Sequence, residues 1–143
     1  MLGREVADIP PRLLIIEDNS GDVFLIKRAL QENTIPAEVT VCKDGEDAVR
    51  LLNSPEMQNP PDAIIIDLAL PRIDGLELLR NILNRPGYVG TPIMVFTSSP
   101  SPADKQRVEL LSGARYVQKP SGLDNFFREV AENVKSMLAG SGK

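Results

Sequence analysis

Carboxylate, hydroxyl and ammonium groups follow four apolar segments of this sequence. Glu17 and Asp18 follow LLII, Asp67 follows AIII, Thr97 follows IMVF, and Lys119 follows ARYVQ. An aspartate at the end of an apolar segment needs an explanation, because burying an unpaired charge is costly. Oxygen ligands of this kind suit Mg²⁺, which binds carboxylates together with water and phosphate oxygens, and a nearby lysine would complement the phosphate.

Five apolar segments with strand character alternate with segments of helical periodicity. The predicted strands are 13–17, 38–42, 63–67, 93–96 and 114–118, and the predicted helices lie near 21–32, 46–53, 76–84, 103–111 and 123–138. Successive βα units imply a parallel sheet with helices on both faces. Ligands bind such sheets outside the carboxyl ends of the strands, so we expect the polar residues to meet at that edge.

Each of these polar residues also has a purely structural explanation. Paired acids are favourable charges at the start of a helix, and a lysine before proline is usually solvated. A threonine at the end of a strand commonly has no special role. The functional interpretation is stronger because all the features occupy equivalent ends of different strands, which chance seldom arranges.

Composition limits the functions open to this chain. Its 143 residues, 42% hydrophobic and 25% charged, are typical of one soluble globular domain. The net charge of −4 and the pI near 4.9 argue against nucleic acid as the main partner, since phosphate backbones favour clustered Lys and Arg. No apolar segment approaches the roughly 20 residues of a membrane helix, and no signal peptide is evident, so we expect a cytoplasmic protein.

Histidine is absent from the sequence. Histidine-based acid–base catalysis, a Ser-His-Asp triad and histidine metal ligands are therefore excluded. The single cysteine, Cys42, cannot form an internal disulfide, and its strand-like surroundings favour a packing role. Any chemistry must depend on carboxylates, lysine, hydroxyls, backbone amides and a metal bound through oxygen.

Four motifs together resemble the receiver domain of two-component response regulators. They are EDN at 17–19, the D-x-x-L-P-x-x-D-G block at 67–75, Thr97-Ser98 and Lys119-Pro120. The resemblance covers roughly residues 13–138, and the opening EDNSGDVFLIKRAL is similar to stand-alone receivers that partner phytochrome-type sensor kinases.

The resemblance implies an α/β fold of the flavodoxin-like or CheY-like type. In this (βα)5 three-layer sandwich, a doubly wound five-stranded parallel sheet has the strand order 2-1-3-4-5. The chain would form a single receiver domain over residues 1–143, with a core at about 12–138 and ragged termini.

The resemblance also implies a phosphoacceptor, Asp67, which takes a phosphoryl group from a phosphohistidine of a sensor histidine kinase. The histidine-free composition agrees with this role, because the donor histidine must come from another protein. Lys119 and the hydroxyl of Thr97 would contact phosphoryl oxygens. Further contacts would come from the backbone N–H groups of Leu68, Ala69 and Ser98.

Mg²⁺ is the cofactor that the resemblance implies. Asp18, Asp67 and the backbone carbonyl of Ala69 would bind it, while Glu17 would act largely through water. We expect no other cofactor.

Two further features follow from the resemblance. Tyr116 matches the family's switch aromatic, which works with Thr97, although a half-buried strand tyrosine with a hydrated hydroxyl explains it equally well. The Lys119–Pro120 peptide bond is expected to be cis.

Other functions fit the sequence less well. An Mg²⁺-dependent aspartyl-phosphate hydrolase usually has a second acid two residues after the nucleophile, where this chain has Ala69, so we expect a phosphoacceptor and not a turnover enzyme. A flavin-binding, flavodoxin-like carrier would need a neutral loop after the first strand, whereas EDNSGD would repel the cofactor phosphate. A degenerate scaffold receiver is disfavoured because Asp18, Asp67, Thr97 and Lys119 are all present.

The expected partners are proteins. Because the chain ends soon after the fifth helix, we expect no output domain, so that signalling proceeds by binding an unidentified downstream protein. A homodimer through the fourth helix, fifth strand and fifth helix is plausible by resemblance.

The first helix carries a predicted docking surface for the kinase. At about 100° per residue, Leu25, Ile26, Ala29 and Leu30 fall within one arc, while Val23 lies at its edge and Phe24 points away. Lone exposed apolar residues are common, so Phe24 has a plain structural explanation. Its position beside the acidic pair instead favours contact between Val23, Phe24 and the donor helix of the kinase.

Overall fold

Five strands and five helices alternate within the part of the chain that the computed structural model describes, residues 9–98, 101–111 and 114–141. The strands are β1 (Arg12–Ile16), β2 (Glu38–Cys42), β3 (Ala63–Ile66), β4 (Ile93–Thr97) and β5 (Ala114–Gln118). The helices are α1 (Ser20–Glu32), α2 (Gly45–Leu52), α3 (Gly75–Leu83), α4 (Pro102–Leu110) and α5 (Leu123–Ser141).

The strands form one parallel sheet in the order β2-β1-β3-β4-β5. The α/β class and the strand order 2-1-3-4-5 are therefore confirmed. Most boundaries agree with the prediction to within a residue, although α5 continues to Ser141 and a short 3₁₀ helix at Pro55–Met57 was not predicted. Of the expected ragged ends, before residue 12 and after residue 138, residues 1–8 and 142–143 lie outside the described residues, whereas 139–141 belong to α5.

The sheet has a separate apolar core on each face, because successive side chains of a strand point in opposite directions. On one face, Leu14 of β1 and Ile64 of β3 pack with α2, α3 and α4. On the other face, Leu13 and Ile65 pack with α1 and α5. Central strands buried on both faces require unbroken apolar segments, which explains LLII and AIII.

Strand register brings the polar strand ends together at one edge of the sheet. Ile16 of β1 lies opposite Ile66 of β3, and the Asp67 amide donates to the Ile16 carbonyl at 3.0 Å. At the other side, the Lys119 amide donates to the Thr97 carbonyl at 2.8 Å. The residues that follow β1, β3, β4 and β5 therefore occupy neighbouring positions.

The edge strand β2 contributes a backbone contact and a buried thiol. The Glu17 amide donates to the Cys42 carbonyl at 2.9 Å. The Cys42 side chain is buried in the core, as expected, and burial raises the pKa of its thiol to about 11.

Helix α1 has the orientation that its sequence predicted. Ile26, Ala29 and Leu30 are buried against the sheet. Val23 is half-buried, and the Phe24 side chain is 62% exposed. The apolar arc and the outward direction of Phe24 are thus both confirmed.

Capping side chains start the helices close to the sheet edge. The side chain of Asn19 accepts from the Asp22 amide at 3.0 Å, which fixes the first turn of α1 directly after β1. Asp74 in the same way accepts from the Leu76 amide at the start of α3, at 3.0 Å. These capped strand-to-helix connections hold the acidic residues at the edge.

Gly75 allows α3 to begin directly against the segment that follows Asp67. A Cβ atom added at this glycine would overlap the backbone of Leu68. Backbone atoms cannot move aside as the end of a side chain can, so the close approach requires glycine. The D-G pair of the motif therefore has a packing role as well as a capping role.

One expectation from the resemblance is wrong. Residues 9–98, 101–111 and 114–141 contain no cis peptide bond, so the Lys119–Pro120 bond is trans, the more stable isomer of an X–Pro bond.

In the described part of the chain, none of the helices combines the length and the apolar character that a membrane crossing requires.

Substituting Gly75 by alanine should destabilise the fold. We expect Gly75→Ala to lower the free energy of unfolding by about 1–3 kcal/mol, because an overpacked site forces backbone shifts. Urea unfolding would measure the change. Gly140→Ala in α5 is the matched control, because a Cβ there meets nothing within 4 Å. Its stability should stay the same or rise by up to about 1 kcal/mol, and equal effects at both glycines would contradict the packing role.

Candidate functional site

The carboxylate of Asp67 lies at the end of β3 and is 5% exposed. Its Oδ1 accepts from the Ala69 amide at 2.9 Å, and its Oδ2 accepts from Lys119 Nζ at 2.9 Å. The Thr97 side chain also hydrogen-bonds to it. Three donors from three different strand ends thus surround one buried carboxylate, which compensates for its removal from water.

Lys119 connects the acidic residues of the site. Its Nζ donates to Glu17 Oε1 at 2.7 Å, to Asp22 Oδ2 at 2.7 Å and to Asp67 Oδ2 at 2.9 Å. An ammonium group has three N–H donors, so every donor of Lys119 is in use. The Lys119 side chain is only 7% exposed, which makes these contacts stronger than those of a surface ion pair.

Burial and charge together set the protonation of the site. Burial acts to raise the pKa of Asp67, but hydrogen bonds from the Ala69 amide and from Lys119 outweigh it and hold that pKa below its usual value. Burial acts to lower the pKa of Lys119, yet its bonds to Asp22, Glu17 and Asp67 raise that pKa above its usual value. At neutral pH, Asp67 is therefore an anion and Lys119 a cation.

Glu17 responds differently to its surroundings. Burial raises the pKa of Glu17 to about 7, although the hydrogen bond from Lys119 opposes this shift. The negative charge of Asp67 adds to the increase.

A divalent cation fits the acidic side of the site. Glu17, Asp18 and Asp67 each offer a carboxylate oxygen, and these atoms lie within 4.8 Å of one another. Glu17 and Asp67 are buried while Asp18 is exposed, so the cluster has one side open to water. An oxygen-only donor set with a hydrated side suits hard divalent cations. Ala69, whose carbonyl was predicted as a further ligand, is exposed beside this cluster.

Sequence reasoning missed one residue of the site, Asp22. It lies in the first turn of α1, and its side chain is 23% exposed. The available signal was spacing: Asp22 comes four residues after Asp18, and the Asn19 cap turns the helix start back toward the sheet edge.

Asp22 and Lys119 also line an open cleft of about 570 Å³ between the start of α1 and the β5–α5 connection. Asn19, Leu25, Pro120 and Leu123 contribute to its walls. Solvent can thus approach Asp22 from this side.

The predicted switch residue Tyr116 lies on β5, with its Cα opposite Val95. It is half-buried and packs against the core on one face of the sheet. A hydrogen bond joins its hydroxyl to the backbone of Ser101, and burial raises the pKa of that hydroxyl. The tyrosine is therefore tied to the start of α4.

A family model for the response regulator receiver domain matches residues 13–131. The chain belongs to this family. Response regulator Rcp1 from Synechocystis sp. is 32% identical over 125 residues, which cover 85% of this chain and 85% of Rcp1. This receiver thus matches most of the length of a response regulator.

Two solved structures resemble this receiver over most of their length. The phosphorylated cyanobacterial phytochrome response regulator RcpA is 31% identical, with a TM-score of 0.82, covering 92% of this chain and 96% of RcpA. The Mn²⁺-bound form of Rcp1 is 31% identical, with a TM-score of 0.77, covering 86% of this chain and 91% of that chain. Proteins of this family are signalling proteins with an acidic site for divalent cations.

Removing the ammonium group should leave buried carboxylates without compensation. We expect Lys119→Met to lower the free energy of unfolding near pH 7 by about 3 kcal/mol, the usual effect of breaking a buried ion pair. Urea denaturation would measure this loss. Lys135→Met, at an exposed position of α5, removes the same charge and should change stability by less than about 0.5 kcal/mol. Similar losses in the two variants would show that the Lys119 contacts are energetically minor.

Proposed function

We propose that Asp67 accepts a phosphoryl group from a phosphohistidine of a sensor histidine kinase, and that the phosphorylated protein signals by binding other proteins. The single observation that carries this proposal is the surroundings of Asp67. It is a buried, deprotonated carboxylate held by an ammonium, a hydroxyl and an amide. These groups leave a nucleophilic oxygen beside donors that can bind the oxygens of a transferred phosphoryl group.

The bonds that form and break in the transfer belong only to the acceptor and the donor. An oxygen of Asp67 forms a bond to phosphorus, the bond between phosphorus and the histidine nitrogen breaks, and that nitrogen keeps the electron pair. Lys119 donates to one phosphoryl oxygen and the Thr97 hydroxyl to another. Backbone N–H groups provide the remaining contacts, namely those of Leu68, Ala69 and Ser98. Water later attacks phosphorus, which returns the Asp67 carboxylate and releases inorganic phosphate.

We propose Mg²⁺ as the physiological cation of the acidic cluster. Asp18 and Asp67 would bind it directly with the carbonyl of Ala69, and Glu17 largely through water. Two observations support this assignment: the carboxylate oxygens are mutually close, and Mn²⁺ is bound in the crystal structure of the relative Rcp1. When bound, the cation supplies positive charge that offsets the repulsion between the carboxylates and the phosphoryl oxygens.

The alternative functions receive less support. A turnover hydrolase needs a second acid near the nucleophile, and the exposed residue two positions after Asp67 is Ala69. A flavin carrier needs a loop that attracts phosphate, whereas Asp18 and Asp22 make the β1–α1 segment acidic. We therefore propose an acceptor that assists its own phosphorylation and dephosphorylation.

The kinase partner is proposed to belong to the phytochrome type. Support comes from the similarity to RcpA, which is a phytochrome response regulator. Four further points stay predictions: the binding of a downstream protein, the cytoplasmic location, the single-domain organisation over residues 1–143 and the switch role of Tyr116.

The homodimer through α4, β5 and α5 also stays a prediction. Phe126, Val130, Val134 and Met137 of α5 are buried within the protein's own core. A dimer would therefore have to use the outer faces of these elements, where Leu110 is exposed.

Val23 and Phe24 are proposed to contact the kinase. They directly follow Asp22, which contacts Lys119, in the first turns of α1, and Phe24 presents a largely exposed aromatic ring. Exposed aromatic residues commonly act as anchors in protein interfaces. A donor helix that delivers phosphohistidine to Asp67 has to pass this surface.

Asp67→Asn should abolish phosphorylation. We expect the wild-type protein to gain the mass of one phosphoryl group when it is incubated with acetyl phosphate and Mg²⁺, because only an ionised carboxylate supplies the nucleophile. Intact-protein mass spectrometry would detect the product, and a chelator should suppress it. Asp62→Asn, at the opposite end of the same strand, is the matched control and should label normally. Equal labelling of Asp67→Asn would exclude Asp67 as the acceptor.

Phe24→Lys should impair transfer from a kinase without impairing the receiver itself. Loss of an apolar anchor is expected to slow phosphotransfer from an autophosphorylated phytochrome-type kinase by about tenfold, equivalent to about 1.4 kcal/mol. Labelling by acetyl phosphate and thermal stability should stay near those of the wild type. Val89→Lys, which replaces another exposed apolar residue before β4, is the control. If Phe24→Lys transfers as fast as this control, the docking surface lies elsewhere.

A further inference from the structure

The Lys119 ammonium group has no free donor for a phosphoryl oxygen. Its contacts to Glu17, Asp22 and Asp67 lie between 2.7 and 2.9 Å and use all three N–H groups. For Lys119 to bind a phosphoryl group on Asp67, at least one of these contacts must be released. Which carboxylate gives way decides how easily the site can react.

The three carboxylates differ in how readily they can be released. The side chains of Glu17 and Asp67 are 3% and 6% exposed, so either carboxylate would lose its cation in a nearly dry environment. The side chain of Asp22 is 23% exposed and lines the open cleft. Water can therefore replace Lys119 as the partner of Asp22 at lower cost than for the other two.

We propose that Asp22 restrains Lys119 in the unphosphorylated receiver and thereby slows phosphorylation of Asp67. Asp22 and the incoming phosphoryl group compete for the Lys119 ammonium group, so release of the Asp22 contact frees an N–H donor while Glu17 and Asp67 keep theirs. Asp22 is a positioning residue, since it acts through Lys119 and not on the reacting atoms. This inference rests on the proposed role of Asp67 as the acceptor.

Acetyl phosphate isolates this effect from kinase binding. In that reaction an Asp67 oxygen forms the bond to phosphorus, the bond between phosphorus and the acetate oxygen breaks, and acetate leaves with the electron pair. The rate constant is measured by intact mass against time at fixed donor and Mg²⁺ concentrations. Asp22→Asn should raise it about three- to tenfold, the scale of one net hydrogen bond.

Two comparison variants separate the restraint from a general change of charge. Asp22→Glu keeps a carboxylate and should react at nearly the wild-type rate. Asp47→Asn removes an equivalent first-turn acid from α2, where its partner is the exposed Arg50, and should also react like the wild type. If Asp22→Asn unfolds at the assay temperature, Asp22→Ser, which removes the same carboxylate, is measured in its place.

Salt distinguishes competition for Lys119 from long-range repulsion of the anionic donor. A short, partly buried contact persists at about 1 M salt, whereas repulsion between separated charges is screened there. Acceleration of Asp22→Asn at both about 0.1 M and about 1 M salt would support the proposal. An unchanged or slower rate, an equal gain in Asp47→Asn, or a gain lost at high salt would overturn it. If the wild type itself is not labelled, the proposed function fails as well.

Discussion

One ammonium group makes the acidic edge of this sheet possible. Lys119 contacts Glu17, Asp22 and Asp67, carboxylates that would otherwise repel one another at the end of an apolar sheet. Removing these carboxylates from water costs free energy, and the attraction to one cation offsets part of that cost. The site still carries excess negative charge on the side of Asp18. The same arrangement therefore holds the fold together and prepares it for a cation.

The backbone fixes the positions of these charged side chains. Parallel register places the ends of β1 and β3 side by side, and the amide of Lys119 is fixed to the end of β4. Gly75 then lets α3 start against the Leu68 backbone, and this packing fixes the position of the segment that follows Asp67. Rigid strands supply the positions, and short capped connections keep the side chains directed at one point.

The sequence predicted most of this arrangement because its signals are local. Unbroken apolar segments such as AIII identify central strands, and the alternation with helical periodicity identifies the parallel sheet. It did not reveal Asp22 as a partner of Lys119, because Asp22 lies in the first turn of α1 and not directly after a strand, where the strand-end rule places ligands. Nor could it predict the trans bond before Pro120, since the isomer of an X–Pro bond depends on tertiary surroundings.

The buried thiol at the end of β2 gives this molecule a built-in reporter of opening. Cys42 is the only cysteine in the chain, so alkylation has a single possible product. Burial and a pKa of about 11 keep the thiol nearly unreactive while β2 is paired with β1. Because the Cys42 carbonyl accepts the Glu17 amide, separation of β2 from β1 exposes sulfur and disturbs the acidic cluster together. The rate of Cys42 alkylation would therefore report how often β2 separates from β1, and the protein would need no added label.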